Sequence, residues 1–192
     1  MQQSPNEQEV INQAQRGDEE AVTLLYETHV DAIFEYVRYR VDSKSTAEDL
    51  TSEVFLRMVR GLANYQSQGV PFRAWLFRIA ANLVIDHYRQ RKKGSDAPLL
   101  DDYASDDTDP FDRLADSENQ LRLQLAIRAL PEVYQDLLLL RFVENLPHTE
   151  IAKIMNKSAA ALRAMQHRAL KALAEQFERL NENHSSQQGE ER

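Results

Sequence analysis

The sequence predicts an all-α protein, and three observations carry that expectation. Its 192 residues include only 5 Gly and 6 Pro, too little turn material for a many-stranded sandwich. Ala, Leu, Glu, Arg and Gln dominate, and all five are strong helix formers. Apolar residues recur in steps of three and four rather than alternating. Cys is absent, which removes disulfide frameworks, thiolate metal sites and cysteine nucleophiles together and fits a reducing compartment. No apolar run approaches the roughly 18 residues of a membrane span, and MQQSPNEQEV has neither a basic n-region nor an apolar h-region. A soluble, cytoplasmic protein without membrane insertion is expected.

Charge divides the chain. With 23 Lys plus Arg against 31 Asp plus Glu the net charge is −8, and −7 of it falls in residues 94–117, GSDAPLLDDYASDDTDPFDRLADS. Two Pro and little periodic hydrophobicity leave this stretch unable to offset its own ordering entropy by burial. It reads as a flexible acidic linker joining two small helical domains, residues 10–93 and 118–180. The polar end, residues 181–192, reads as a tail, and the first eight residues read as frayed.

Three helices are expected in the first module. Residues 18–40 place Ala21, Leu24, Leu25, Ile33, Tyr36 and Val37 on a core-facing stripe. A second helix starts at Thr46, which has capping-box spacing to Asp49. It turns Ala47, Leu50, Val54, Phe55, Met58 and Leu62 inward and leaves Glu48, Asp49, Ser52, Glu53, Arg57 and Arg60 on its other side. The third, 71–91, carries Phe72, Trp75, Leu76, Ile79, Ala80, Leu83 and Val84 on one stripe and Phe77, Ala81, Ile85 and Tyr88 on another, as a central helix does. The polar loop 65–70, YQSQGV, enters it through Pro71. It ends in DHYRQRKK, where Arg89, Arg91, Lys92, Lys93 and, when protonated, His87 supply positive charge beside aromatic rings. Such a surface suits nucleic acid. Cations meeting the macrodipole at a helix C-terminus account for the same residues.

The second module carries the sharper signal. Helices are expected around 119–129 and after Pro131, followed by two helices separated by a tight turn. In that pair Ile151, Ala152 and Met155 precede Asn156, and Leu162 and Met165 follow it. A small residue, an αL-tolerant residue four later and a core residue six beyond form helix-turn-helix spacing. The second helix of the pair turns Arg163, Gln166, His167 and Lys171 outward, with Arg168 nearby, and Ser158 stands where it caps the helix and leaves the first amides facing a phosphate. A two-helix packing unit with a solvated face is the competing reading.

Taken in order, STAEDLTSEVFLRMVRGLANY, GVPFRAWLFRIAANLVIDHYRQRKK, an acidic stretch and ALPEVYQDLLLLRFVENLPHTEIAKIMNKSAAALRAMQHRALKAL resemble bacterial σ70-family sigma factors of the extracytoplasmic-function (ECF) group. The resemblance covers about 21–93 and 118–175. It implies a subunit that binds core RNA polymerase through the β′ clamp helices and the β flap and directs it to promoter DNA. The region-two domain then takes the minus-ten element and its melting, and the region-four domain takes the minus-thirty-five element. The resemblance places the polymerase contact on Glu48, Asp49, Ser52 and Glu53, with Ser52 standing where family members usually have Gln. It places minus-ten contacts on Tyr65, Phe72, Arg78, Asn82 and Arg89, where a flipped base costs a few kcal/mol that stacking offsets. It places minus-thirty-five contacts on Lys157, Ser158, Arg163, Ala164, His167 and Arg168. Ala164 offers no hydrogen bond, so part of the readout falls to DNA shape. Many members have Gly and Ile where this chain has Asn156 and Lys157. The resemblance also implies an anti-sigma partner, no metal or cofactor, and a linker that follows the RNA path.

Two other readings compete. A stand-alone helix-turn-helix regulator would bind duplex operators by itself, commonly as a dimer, and would not need the second helix's acidic face. An all-α enzyme finds no constellation: the five His, at 29, 87, 148, 167 and 184, are scattered, and neither a glycine-rich phosphate loop nor a nucleophile motif is visible.

Overall fold

Residues 6–66, 70–94 and 118–190 are described by the computed structural model of the chain. Among them every regular element is helical. The expected linker falls outside these residues from 95 onward, as do positions 67–69 of the YQSQGV loop.

The first lobe holds four helices, not three: α1 (Glu7–Gln15), α2 (Glu19–Arg38), α3 (Lys44–Leu62) and α4 (Phe72–Gly94). The additional α1 takes in the last of the eight residues expected to fray; residues 1–5 lie outside the described residues. Asn6 accepts the Gln8 amide at 3.3 Å to begin it, and Val10, Ile11 and Ala14 bury its inner face. Gly17, at φ +90, turns the chain into α2, where the Asp18 carboxylate accepts the Glu20 and Ala21 amides. Leu24 is exposed although it falls on the expected stripe, because Ala21 and Leu25 on either side of it take the core-facing arc.

Ser43, not Thr46, caps α3. Its Oγ accepts the Thr46 amide at 3.1 Å, and Thr46 lies inside the first turn. A hydroxyl three residues earlier in extended backbone satisfies the orphan amide first. Ala47, Val54, Phe55, Met58 and Leu62 are buried as expected. The helix α4 runs through the middle, packing on α2, α3 and the second lobe, which is why it needs two apolar stripes. It approaches α3 so closely that a Cβ on Gly61 would lie 3.0 Å from the Trp75 ring.

The second lobe comprises α5 (Glu118–Arg128), α6 (Glu132–Leu138), α7 (His148–Met155) and α8 (Ala159–Glu190). The α6 helix widens into a π-type turn over Leu139–Val143, where the Glu144 amide donates to the Leu139 carbonyl at 3.0 Å. The turn keeps Leu137, Leu138, Leu139 and Leu140 all buried, which a regular helix facing one core does not achieve. The α8 backbone stays helical through most of the expected tail, since no Pro or Gly interrupts it before Gly189.

The two lobes pack against each other through α4 with α7 and α2 with the π turn. At the centre of the contact Arg40, 2% exposed, donates to the Tyr36 hydroxyl at 2.7 Å and pairs with Asp136 of α6, to which Tyr36 also donates. Arg73 forks onto Glu150 through Nε at 2.8 Å and Nη2 at 2.5 Å, and Gln124 donates to the Arg38 carbonyl at 2.7 Å.

Leu162 is fully buried beneath the turn, whereas Leu170 on the same helix is 40% exposed. Leu162→Ala is expected to lower unfolding free energy by about 2–5 kcal/mol and Leu170→Ala by no more than about 0.5 kcal/mol, read from urea midpoints followed by circular dichroism.

Candidate nucleic-acid interface

The turn between α7 and α8 is built as its spacing requires. Asn156 adopts φ 51, ψ 50 and its amide returns to the Ala152 carbonyl, a left-handed position that Asn tolerates better than β-branched residues. Ser158 Oγ accepts the Ala161 amide at 3.2 Å, capping α8. With Leu162 anchored below, Arg163, Ala164, His167 and Arg168 face outward and exposed, and Lys157 stands exposed in the turn. Gln166 departs from the outward reading: its side chain is half-buried and its Oε1 lies 2.6 Å from His148 Nε2, tying α7 to α8.

On α4, Arg78, Asn82 and Arg89 are exposed. Arg89 is 3.9 Å from Asp86. Arg78 Nε donates to the Ile154 carbonyl at 3.1 Å and its Nη2 to the Lys153 carbonyl. Arg78 and Asn82 therefore border a cavity of about 630 Å³ whose opposite wall includes Asn156 and Lys157. At the basic end of the helix, Arg91 pairs with Asp42, and burial together with the Arg91 charge holds His87 below the usual imidazole range.

Ahead of α4, the Tyr65 ring stands 4.9 Å from Trp75 and 5.2 Å from Phe72, centroid to centroid. Its hydroxyl donates to the Val70 carbonyl at 3.0 Å, and Gln15 of α1 donates to the Tyr65 and Leu62 carbonyls at 2.8 and 3.0 Å. Phe72, placed by the resemblance among the minus-ten contacts, is 1% exposed in the free chain; its ring is core, as its place on the apolar stripe predicts, and it positions Tyr65 and Trp75 from beneath.

Along α3, Glu48, Asp49 and Ser52 are exposed. Ser52 donates back to the Glu48 carbonyl at 2.9 Å, and Glu53 already accepts from Arg57 at 2.9 Å. Leu56 and Val59 emerge beside this acidic row, each 51% exposed. Sequence reading passed over them, although their place off the core stripe was the available signal.

The comparisons with known proteins agree with this geometry. Residues 25–94 match the family model Sigma-70 region 2, and residues 120–173 match Sigma-70, region 4. The ECF RNA polymerase sigma factor BldN of Streptomyces coelicolor is 38% identical over 170 residues, covering 86% of this chain and 64% of that protein. The ECF RNA polymerase sigma factor SigD of Mycobacterium tuberculosis is 31% identical over 174 residues, covering 88% of this chain and 82% of that protein.

The chain belongs to the ECF group of σ70-family sigma factors.

Sigma factors of this family work in promoter-specific transcription initiation. The fold of this one is shared with CnrH, solved in complex with the cytosolic domain of CnrY, at a TM-score of 0.68 and 22% identity, covering 88% of this chain and 95% of that one. Among the described residues of this sigma factor no helix is long and apolar enough to cross a membrane, and no group of three or more His, Cys, Asp or Glu side chains is placed to hold a metal ion.

A second cavity between the lobes, of about 420 Å³, is bordered by Glu7, His29, Arg73, Glu144 and Glu150. Burial pushes the Glu144 carboxyl up to about 7, the negative charge of Glu35 adds to this, and Arg73 opposes it. A carboxyl whose folded pKa lies above its unfolded one contributes stability that is complete below the unfolded value and lost as pH rises through the folded value. Melting temperature is therefore expected to fall between pH 5 and about pH 8 in wild type more than in Glu144→Gln; parallel profiles for the two proteins would remove Glu144 from this role.

Proposed function

We propose that this chain is a promoter-specificity subunit of RNA polymerase and performs no reaction chemistry of its own. The observation that carries the reading is the order of the two matched regions on two helical lobes, the second ending in a helix-turn-helix whose left-handed Asn156 and buried Leu162 leave Arg163, His167 and Arg168 facing outward.

The division of labour follows the lobes. Residues 10–93, extended by the start of α1, bind core polymerase and take the minus-ten element. Residues 118–180 take the minus-thirty-five element, with the acidic segment joining the two and residues 181–190 extending α8. Glu48, Asp49, Ser52 and Glu53, with the apolar Leu56 and Val59 beside them, meet the β′ clamp helices: an acidic row bordering exposed apolar surface is a composition that a protein partner of basic, apolar chemistry covers. Tyr65 stacks on an extruded base while Arg78, Asn82 and Arg89 hold its backbone. At the upstream element Arg163, His167 and Arg168 reach base edges or phosphates, Ala164 allows close approach, and Lys157 with the amide end capped by Ser158 holds a phosphate. The second lobe meets the β flap. An anti-sigma factor holds the chain inactive. The work takes place in the cytoplasm, where core polymerase is.

Run-off transcription with purified core polymerase on genomic fragments tests the reading. Added chain is expected to create discrete start sites preceded by a shared pair of elements, and start sites unchanged by its addition would contradict the proposal. In the same assay, Arg163→Ala with Arg168→Ala is expected to reduce output about tenfold or more, from a loss of roughly 1–3 kcal/mol per base contact. Asp49→Arg with Glu53→Arg is expected to weaken co-purification with core polymerase at unchanged helical content; equal recovery would move the polymerase contact off α3.

A further inference from the structure

The α1 helix stands ahead of residue 25, where the match to Sigma-70 region 2 begins. Its last residue nevertheless reaches the far end of α3. Gln15 Nε2 donates to the Leu62 carbonyl at 3.0 Å and to the Tyr65 carbonyl at 2.8 Å, across 47 and 50 residues of sequence. A primary amide has two protons to donate, and here both meet main-chain oxygens. The last carbonyls of a helix lack intrahelical partners. Past Leu62 the chain leaves α3 by tight turns, in which the Asn64 amide donates to the Gly61 carbonyl at 3.1 Å and the Tyr65 amide to the Leu62 carbonyl at 3.0 Å. Bonds of this short-range kind have poorer geometry than those of an α-helix, so the course of the backbone at Tyr65 depends on what else holds it. Gln15 supplies that hold.

We infer that Gln15 is a positioning residue for promoter opening: through the Leu62 and Tyr65 carbonyls it fixes the Tyr65 ring where an extruded base stacks, and so makes α1 a working part of the minus-ten reader. The inference rests on the reading of Tyr65 as that stacking ring. The residues matched to Sigma-70 region 2 do not contain the tie by themselves, since Gln15 precedes them.

The support beneath Gln15 is firm. Val10, Ile11 and Ala14 bury α1 against α2, and the Asp18 carboxylate caps α2 directly after the turn at Gly17. The ring itself is held from another side: the Tyr65 hydroxyl donates to the Val70 carbonyl at 3.0 Å, and the ring lies 4.9 Å from that of Trp75. Backbone and side chain of Tyr65 are therefore fixed by different elements, and the hold on the backbone comes from α1. An extruded base gains most from a platform already in place, because ordering the platform as the base arrives subtracts from the stacking that offsets unpairing. Since Gln15 acts on the backbone that carries the ring, its effect disappears when the ring is removed.

The test uses the full chain with purified core polymerase and reads the rate at which heparin-resistant complexes form on the duplex fragment that carries the strongest start site mapped with wild type. Gln15→Met keeps the length of the side chain and removes both donors. It is expected to slow the rate about tenfold, as the loss of two hydrogen bonds allows, while co-purifying with core polymerase as wild type does. Gln15→Lys keeps a donor at that reach and is expected to stay within about threefold of wild type. A Gln15→Met rate equal to wild type, or a Gln15→Lys rate as low as that of Gln15→Met, overturns the inference. The deciding measurement is the double-variant cycle with Tyr65→Ala. Adding Gln15→Met to Tyr65→Ala is expected to change its rate by no more than about twofold, because the ring through which Gln15 acts is already gone. Losses that multiply show a role independent of the ring and overturn the inference. If Tyr65→Ala alone matches wild type, the stacking reading fails and the inference falls with it; if wild type forms no such complexes, the sigma reading fails.

Discussion

A guanidinium that retains 2% of its exposure has to be answered by charge, and for Arg40 the answer comes from Asp136, almost a hundred residues further along the chain. Tyr36, one helical turn before Arg40, bridges the pair. It donates to Asp136, accepts from Arg40, and presents its ring 5.5 Å from the Arg40 Cζ. Removing one member leaves a buried charge unpaired, a cost of about 3–5 kcal/mol, so the first lobe is fully satisfied only with the second docked against it. Tyr88, donating to the Arg40 carbonyl at 2.5 Å, and Arg128, reaching Asp42 at 3.4 Å, extend the same contact to α4 and α5.

That dependence sets how the molecule performs its function. Promoter recognition needs two readers set far apart, whereas burial in small domains favours one shared core. In the free chain the second demand prevails: residues of both lobes, among them Ile33, Phe77, Leu139 and Ile151, belong to one apolar core. Leu137, Leu139 and Leu140 sit beneath the π turn, and Phe72, Leu76 and Phe77 line α4. Apolar seams of that kind separate at large cost; hydrogen bonds and ion pairs exchange for water or for phosphate at small cost.

Much of this was legible in the residues themselves. Helical periodicity located α2, α3, α4 and the helix-turn-helix, because each buries a stripe whose spacing local geometry dictates, and Asn156 was readable as the turn because few residues tolerate positive φ. Three features were not. The α1 helix is short and polar, and it forms because α2 accepts its apolar face and Asn6 caps it. The closing of Tyr65 and Trp75 over Phe72 is the second, because the stripe that puts Phe72 in the core does not say which rings cover it. The lobe contact joins residues about a hundred positions apart through a segment with no pattern, and no local signal encodes which Asp will meet Arg40.

The central claim is that the pairing of Arg40 with Asp136 holds the two lobes together in the free chain. Single-molecule energy transfer between dyes at Thr28→Cys and Thr149→Cys, exposed positions of α2 and α7, measures this directly, since the native chain contributes no competing thiol. One high-transfer population is expected for the free chain, and a low-transfer population once Asp136→Ala leaves Arg40 buried without its charge partner. A low-transfer wild type, or the same transfer in both proteins, would contradict the account.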